Sequence, residues 1–165
     1  MFNPSSIQPD VELREFLQGK VTVGEDKKPV TVYGDWERPT NEVPDDFIVI
    51  MQNGNPMGLG MDVDFAKGFL AVSLYSKLNN DGSVKKKRVD KILKQVNDQF
   101  VGGGSGSGSG DERYEPIITE NYVYQYDPQQ FITPTTPNIT SGYSITSLNL
   151  RWTTTTNFNK KPEKP

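Results

Sequence analysis

Residues 84–100 read VKKKRVDKILKQVNDQF. Their apolar members recur at i, i+3, i+4, i+7 and i+11, which places them in one stripe along a helix. The stripe consists of Val89, Ile92, Leu93, Val96 and Phe100. We therefore predict an amphipathic helix over residues 84–100. Because a helix of this length is marginal alone in water, its stripe must be buried against a sheet.

Two apolar runs upstream supply such a sheet. Residues 47–51 read FIVIM and residues 68–75 read GFLAVSLY, and both have the length of a strand. Continuous apolar runs bounded by turn signals are typical of buried strands. We predict that both runs are central strands. The residues between them, 52–64, contain NGNPMGLG and are predicted to form a long irregular loop.

The N-terminal region adds a first helix and two short strands. Helical spacing of apolar residues predicts a helix over residues 10–18, and Asp10 is placed to cap it. Residues 21–23 and 30–33 are β-branched runs on either side of a turn-like segment, so we predict a short strand at each.

A glycine- and serine-rich run divides the chain. Residues 102–110 read GGGSGSGSG, a strict alternation that is typical of a flexible spacer because none of its side chains can pack. We interpret this run as an engineered linker. It separates an α+β segment, residues 1–101, from a β-rich segment, residues 111–165, which is predicted to complete the same domain.

The C-terminal segment has the composition of strands. Residues 116–126 and 142–156 are rich in β-branched and aromatic residues and are predicted strands. Residues 127–141 carry three prolines and are predicted to be an extended connection, and residues 157–165 a disordered tail. Strands grouped around two helices indicate an α+β fold: a mixed or mainly antiparallel sheet with both helices on one face and long Pro-rich loops.

Composition narrows the functional classes. Hydrophobic residues make up 33% of the 165-residue chain, which has twelve prolines and neither cysteine nor histidine. Disulfides, thiolate metal sites and histidine general bases are therefore excluded. We expect no enzymatic activity, cofactor or metal. The net charge of −3 favours no polyanionic partner overall, and no apolar run is long enough to predict a membrane span.

Two pairs of carboxylates are too sparse to predict a site. Asp62 and Asp64 lack the further oxygen ligands of a calcium-binding loop, and Asp45 and Asp46 have no identifiable catalytic partner. We interpret the first pair as part of a solvated loop. The second pair is interpreted as turn residues whose charges discourage pairing at a sheet edge.

Positive charge is concentrated at the start of the predicted helix of residues 84–100. The cluster consists of Lys85, Lys86, Lys87 and Arg88. At a helix N-terminus, positive charge is unfavourable by roughly a few tenths of a kcal/mol, so the cluster has no local benefit. Two interpretations stay open: the cluster contacts DNA or an acidic partner surface, or it is the solvated face of the helix.

The layout as a whole resembles a known group of proteins. An FIVI run, the strand KGFLAVSLY leading through NNDGSV into the amphipathic helix, and the late strand LNLRWTTTT carry the resemblance. Together they resemble the tail-terminator and tail-completion proteins of long-tailed bacteriophages. The resemblance covers most of both segments. It implies a non-enzymatic virion component of the tail-terminator or head–tail joining type.

The same resemblance implies how such a protein works. It would form hexameric rings at the tail tube, contact copies of itself or other tail proteins, take no small-molecule substrate, and assemble into virions in the bacterial host cytoplasm. An alternative is a single-chain fusion, in which residues 111–165 are a partner's strand-rich segment donated to a binding module by β-augmentation. A small hydrolase or transferase with an unrecognised site is a third hypothesis.

Overall fold

The computed structural model describes residues 7–35, 37, 42–58, 66–100, 115–127 and 130–154. The predicted linker, residues 102–110, and the predicted tail, residues 157–165, lie outside the described residues and stay predictions. The described chain forms two helices and nine strands: α1 (Pro9–Leu17), β1 (Thr22–Val23), β2 (Lys28–Pro29), β3 (Thr31–Tyr33), β4 (Asp46–Gly58), β5 (Ala66–Lys77), α2 (Lys86–Asp98), β6 (Ile117–Ile118), β7 (Tyr122–Tyr126), β8 (Ile132–Asn138) and β9 (Tyr143–Thr154).

Seven strands share one mixed sheet, in the order β3-β4-β5-β9-β7-β6, with β8 also paired to β9. The β3–β4 pair is parallel and the other pairs are antiparallel. One edge of β9 pairs with residues 67–77 of β5. The other edge of β9 pairs with β8 in its first half and with β7 in its second half. The prediction of an α+β fold with a mixed, mainly antiparallel sheet is confirmed. Strands from both sides of residues 102–110 contribute to the sheet.

One face of the sheet carries the core. Paired positions share a face, so the register aligns Ile48 with Leu74, Ile50 with Val72, and Val72 in turn with Leu148. Both helices contribute to the same buried cluster, whose most buried helical members are Leu13, Leu17, Val89, Ile92 and Val96. Full burial of one such side chain contributes about 1.5–3 kcal/mol. The stripe predicted for α2 is therefore its core face, except that Leu93 is only half-buried.

Strand β7 attaches the second half of the chain to α1. The Tyr122 hydroxyl accepts a hydrogen bond from the Gln8 N–H (2.9 Å), and the Tyr124 hydroxyl donates one to the Pro9 carbonyl (2.6 Å). Burial raises the pKa of both tyrosines. These buried contacts join residues more than a hundred positions apart.

Trp152 completes this part of the core opposite Gly68. A side chain at Gly68 would begin 2.7 Å from the Trp152 indole, closer than atoms can approach, so glycine is what lets the ring lie across β5.

The prediction that Asp10 caps α1 is wrong. The helix begins at Pro9 with no side-chain cap, and Asp10 lies inside its first turn. The Asp10 carboxylate is buried and accepts a hydrogen bond from the Gln52 side-chain amide (3.2 Å). The carboxylate is therefore used to hold α1 against β4.

Two predicted irregular segments are strands. The loop prediction for residues 52–64 is wrong as far as Gly58, because β4 continues beside β5 through a register shift between Asn53 and Met57. Residues 59–65, including Asp62 and Asp64, lie outside the described residues. The connection predicted for residues 127–141 contains β8, again with a register shift. In both cases the segment is a strand because its backbone hydrogen-bonds to a neighbouring strand, although its local sequence is typical of a loop.

Candidate interaction surfaces

The basic start of α2 is partly used inside the molecule. The Arg88 guanidinium donates to Asp46 Oδ2 from Nε (2.7 Å) and from Nη2 (2.5 Å), and the Ser76 hydroxyl donates to Asp46 Oδ1 (2.6 Å). The Asp46 side chain is 1% exposed and that of Arg88 38%. The hydrogen bond to Asp46 raises the pKa of Arg88. Asp46 thus anchors α2 to the sheet, which corrects its interpretation as a turn residue whose charge discourages pairing at a sheet edge.

A second contact fixes α2 against the β1–β2 hairpin. The Thr22 N–H donates to Gln95 Oε1 (2.9 Å), and Gln95 Nε2 donates to the Thr22 carbonyl (2.7 Å). The side-chain amide therefore bonds to both backbone groups of Thr22, as a neighbouring strand would. This contact holds the hairpin and the helix at a fixed separation along one side of α2.

Between the hairpin and α2 runs a groove with a volume of about 530 Å³, which we call the basic groove. Lys87 and Lys91 line its helix wall, one turn apart, and Lys27 lines its hairpin wall. All three lysines are exposed. Glu25 is the acidic residue among its described lining residues, so the groove carries excess positive charge.

Lys27 adopts a backbone conformation that is unusual for lysine. Its φ is 49°, in the left-handed region, and its N–H donates to the Gly24 carbonyl (3.2 Å) across the hairpin turn. A left-handed residue after such a turn is usually glycine or asparagine, and a bulkier residue there costs about 1–2 kcal/mol. Lys27 therefore lies at the groove in a backbone conformation that is strained for a lysine.

The predicted cluster is divided by the structure. Lys87 and Arg88 line the basic groove, whereas Lys85 and Lys86 do not. The sequence does not predict the contributions of Lys27 or Gln95, because no local pattern connects Lys27 to α2, or Gln95 of α2 to the hairpin. Lys91 lies one turn after Lys87 on the predicted helix, so helical spacing alone gives a signal for it.

A second surface lies on the sheet face away from the core. Met57 and Phe69 are 47% and 39% exposed and line one shallow cavity of about 240 Å³ with Val123 and Arg151. Met57 pairs with Lys67, and Phe69 lies two residues along the same strand, opposite Arg151. We call Met57, Phe69, Val123 and Arg151 the arm patch.

Neither a metal site nor a membrane-spanning helix is found among the described residues. Among them, no three histidine, cysteine, aspartate or glutamate side chains come together as metal ligands would. None of the helices that the structure describes has the length and apolar character needed to cross a bilayer.

Comparison of the chain with protein-family models, with curated proteins and with solved structures finds no match.

Proposed function

We propose that this protein is a non-enzymatic structural component that works by self-association, as a virion subunit of the tail-terminator or head–tail joining type that assembles into a ring. The observation that carries the proposal is the arm patch. It supports self-association, and the resemblance described above supports the specific virion role.

The arm patch has the composition of a protein–protein interface. Methionine, aromatic residues and arginine are enriched at interfaces over the rest of protein surfaces. In the arm patch, exposed Met57 and Phe69 lie beside Val123, with Arg151 at the same cavity. The neighbouring segment of β4, residues 53–58, is exposed throughout and so contributes little to the core. An ordered but uncovered segment beside an apolar patch suits contact with a second copy.

Light scattering after size exclusion, over a range of protein concentrations, tests the proposal. We expect a mass near six times that of the 18.5 kDa chain. Replacing Met57 and Phe69 by serine should dissociate the assembly without unfolding it. Replacing Ile118 and Ile139, which are 64% and 80% exposed outside the arm patch, by serine is the matched control and should leave the mass unchanged. A monomer at every concentration, or equal dissociation in both variants, would contradict the proposal.

The fusion hypothesis has its own supporting observation. Strand β9, from the segment after residues 102–110, pairs with β5 at eleven successive positions and so occupies the place that an added strand takes in β-augmentation. Without β9, strand β5 would have an open edge. In this alternative, residues 111–165 belong to a partner of a binding module formed by residues 1–101.

Mass and reconstitution separate the two functions. A closed fusion is monomeric, whereas a ring is not. If the fusion hypothesis holds, residues 111–165 added as a separate chain should bind residues 1–101 and restore the native circular dichroism spectrum. Failure to bind would eliminate the fusion hypothesis and leave self-association to be judged by mass alone.

A further inference from the structure

We propose that the basic groove binds the phosphate backbone of a nucleic-acid duplex by charge, without reading base sequence. The site differs from the basic cluster seen in the sequence. It combines lysines from two elements, Lys27 from the hairpin and Lys87 and Lys91 from α2, and excludes Lys85 and Lys86.

The charges of the groove are available to a ligand. Arg88 is paired with Asp46 and serves the fold. Lys27, Lys87 and Lys91 are exposed on opposite walls of one groove, whose separation is set by the hydrogen bonds between Gln95 and Thr22. Cations fixed on two walls match a ligand that carries closely spaced negative charge, as a duplex does at about one charge per 1.7 Å of its axis.

The apolar lining argues against an acidic peptide as the ligand. Peptide recognition depends on apolar pockets that accept anchor side chains. Here Ile92 is buried at 1% exposure in the core and Val23 is half-buried, so the groove offers no deep apolar pocket.

The same lining argues against base recognition. None of the described lining residues is aromatic, so the groove has no platform on which unpaired bases stack. Lysine acts as a point charge toward phosphate, whereas bidentate readout of bases is the usual role of arginine. Contacts of this kind fix position on a backbone and carry no sequence information.

The acidic net charge of the chain does not prevent such binding. Charges are screened over about 8–10 Å at physiological salt, so the charges nearest the groove weigh more than the net charge of the chain in the field that a backbone meets there. Glu25 is the one described lining residue that opposes a phosphate. Its neutralisation should therefore strengthen binding.

Fluorescence anisotropy with a short labelled DNA duplex tests this proposal at several salt concentrations. Replacing Lys27, Lys87 and Lys91 by serine should weaken binding by at least about tenfold at low salt and flatten the slope of log K against log salt by about 2–3. The control variant replaces Lys20, Lys77 and Lys94, which lie outside the groove and outside the arm-patch cavity, and carries the same change of charge. It should bind within about threefold of wild type, and Glu25→Gln should bind more tightly.

Four results would overturn the proposal. They are no duplex binding by the wild-type chain at low salt, equal losses in the two triple variants, strong dependence on base sequence, and equal affinity for polyglutamate. Measuring the Met57 and Phe69 double-serine variant alongside keeps this test separate from that of the proposed function. If that variant is monomeric and still binds the duplex, the groove acts independently of assembly.

Discussion

Strand β4 has two halves that differ in burial: both pair with β5, but only the inner half also pairs with β3. The inner half, residues 46–50, is buried throughout, whereas the outer arm, residues 53–58, is exposed throughout. Both halves pair with β5. Ordering a residue costs about 1–2 kcal/mol of backbone entropy, which burial offsets in the inner half only. The inner half is therefore stabilised by the core, whereas the outer arm receives no such stabilisation; the proposed self-association would cover it.

The largest expected effect contrasts the two halves directly. Ile50→Ala in the inner half should destabilise the monomeric fold by about 2–5 kcal/mol, because the lost side chain is fully buried. Met57→Ala in the outer arm should change stability by less than about 0.5 kcal/mol, because half of that side chain is exposed. Urea denaturation of both variants, at a protein concentration where the chain is monomeric by light scattering, gives the comparison. Similar losses would show that the outer arm belongs to the core.

The ion pair at the start of the inner half allows a matched test on α2. Arg88→Met should destabilise by about 2–3 kcal/mol, below the range for a fully buried pair, because Arg88 is partly exposed while Asp46 is left buried without its cation. Lys87→Met removes the same charge from the next residue, which is exposed, and should change stability by less than about 0.5 kcal/mol. Chemical denaturation at neutral pH measures both. Equal effects would mean that Arg88 does not anchor α2.

Alkaline pH tests the tyrosines that close the core over α1. Burial raises the pKa of Tyr122 and Tyr124 above the ordinary value of about 10. The unfolded state therefore loses these two phenolic protons at a lower pH than the folded state does. The contribution of the two tyrosines to the free energy of unfolding is fully present below a pH of about 10 and falls as the pH rises further. Denaturation midpoints across this range should decline. Replacing both residues by phenylalanine should flatten the decline, and an unchanged slope would assign it to other groups.

The substitution with the smallest expected effect on stability should stabilise the fold rather than destabilise it. Lys27→Gly removes the penalty of a left-handed lysine and should stabilise the fold by about 0.5–1 kcal/mol. The same change should weaken duplex binding, since it removes one wall of the basic groove. If Lys27 served local structure only, Lys27→Gly would not raise stability while weakening duplex binding. Thermal unfolding and duplex binding should therefore be measured on one preparation.

What the sequence predicts follows the same division. The FIVIM run and the α2 stripe carry the core, and their apolar spacing was sufficient to predict an inner strand and a helix. The outer arm and β8 have no apolar alternation. Glycine and proline in these two stretches are typical of loops. The outer arm is a strand because it pairs with β5, and β8 because it pairs with β9. Tertiary pairing of this kind is not encoded in a local pattern.

The sequence predicts only the part of the basic groove that lies on one helix. Lys87 and Lys91 share a helix face that spacing reveals, whereas Lys27 joins them through the fold and through the amide of Gln95. The partner of Arg88, Asp46, is likewise distant in sequence. Of the four charges that the sequence places together, the structure therefore leaves Lys87 exposed in the groove and pairs Arg88 with Asp46, while Lys85 and Lys86 lie outside it.

Amide hydrogen exchange at several protein concentrations shows whether the chain self-associates through the outer arm, the segment of β4 that carries Met57 of the arm patch. Residues 53–58 should exchange more slowly as concentration rises into the range where the mass increases, because a neighbouring copy would cover them. The inner half, residues 46–50, is already buried and should exchange at the same rate throughout. Exchange in the outer arm that stays fast in the assembled protein, or that is independent of concentration, would contradict the account.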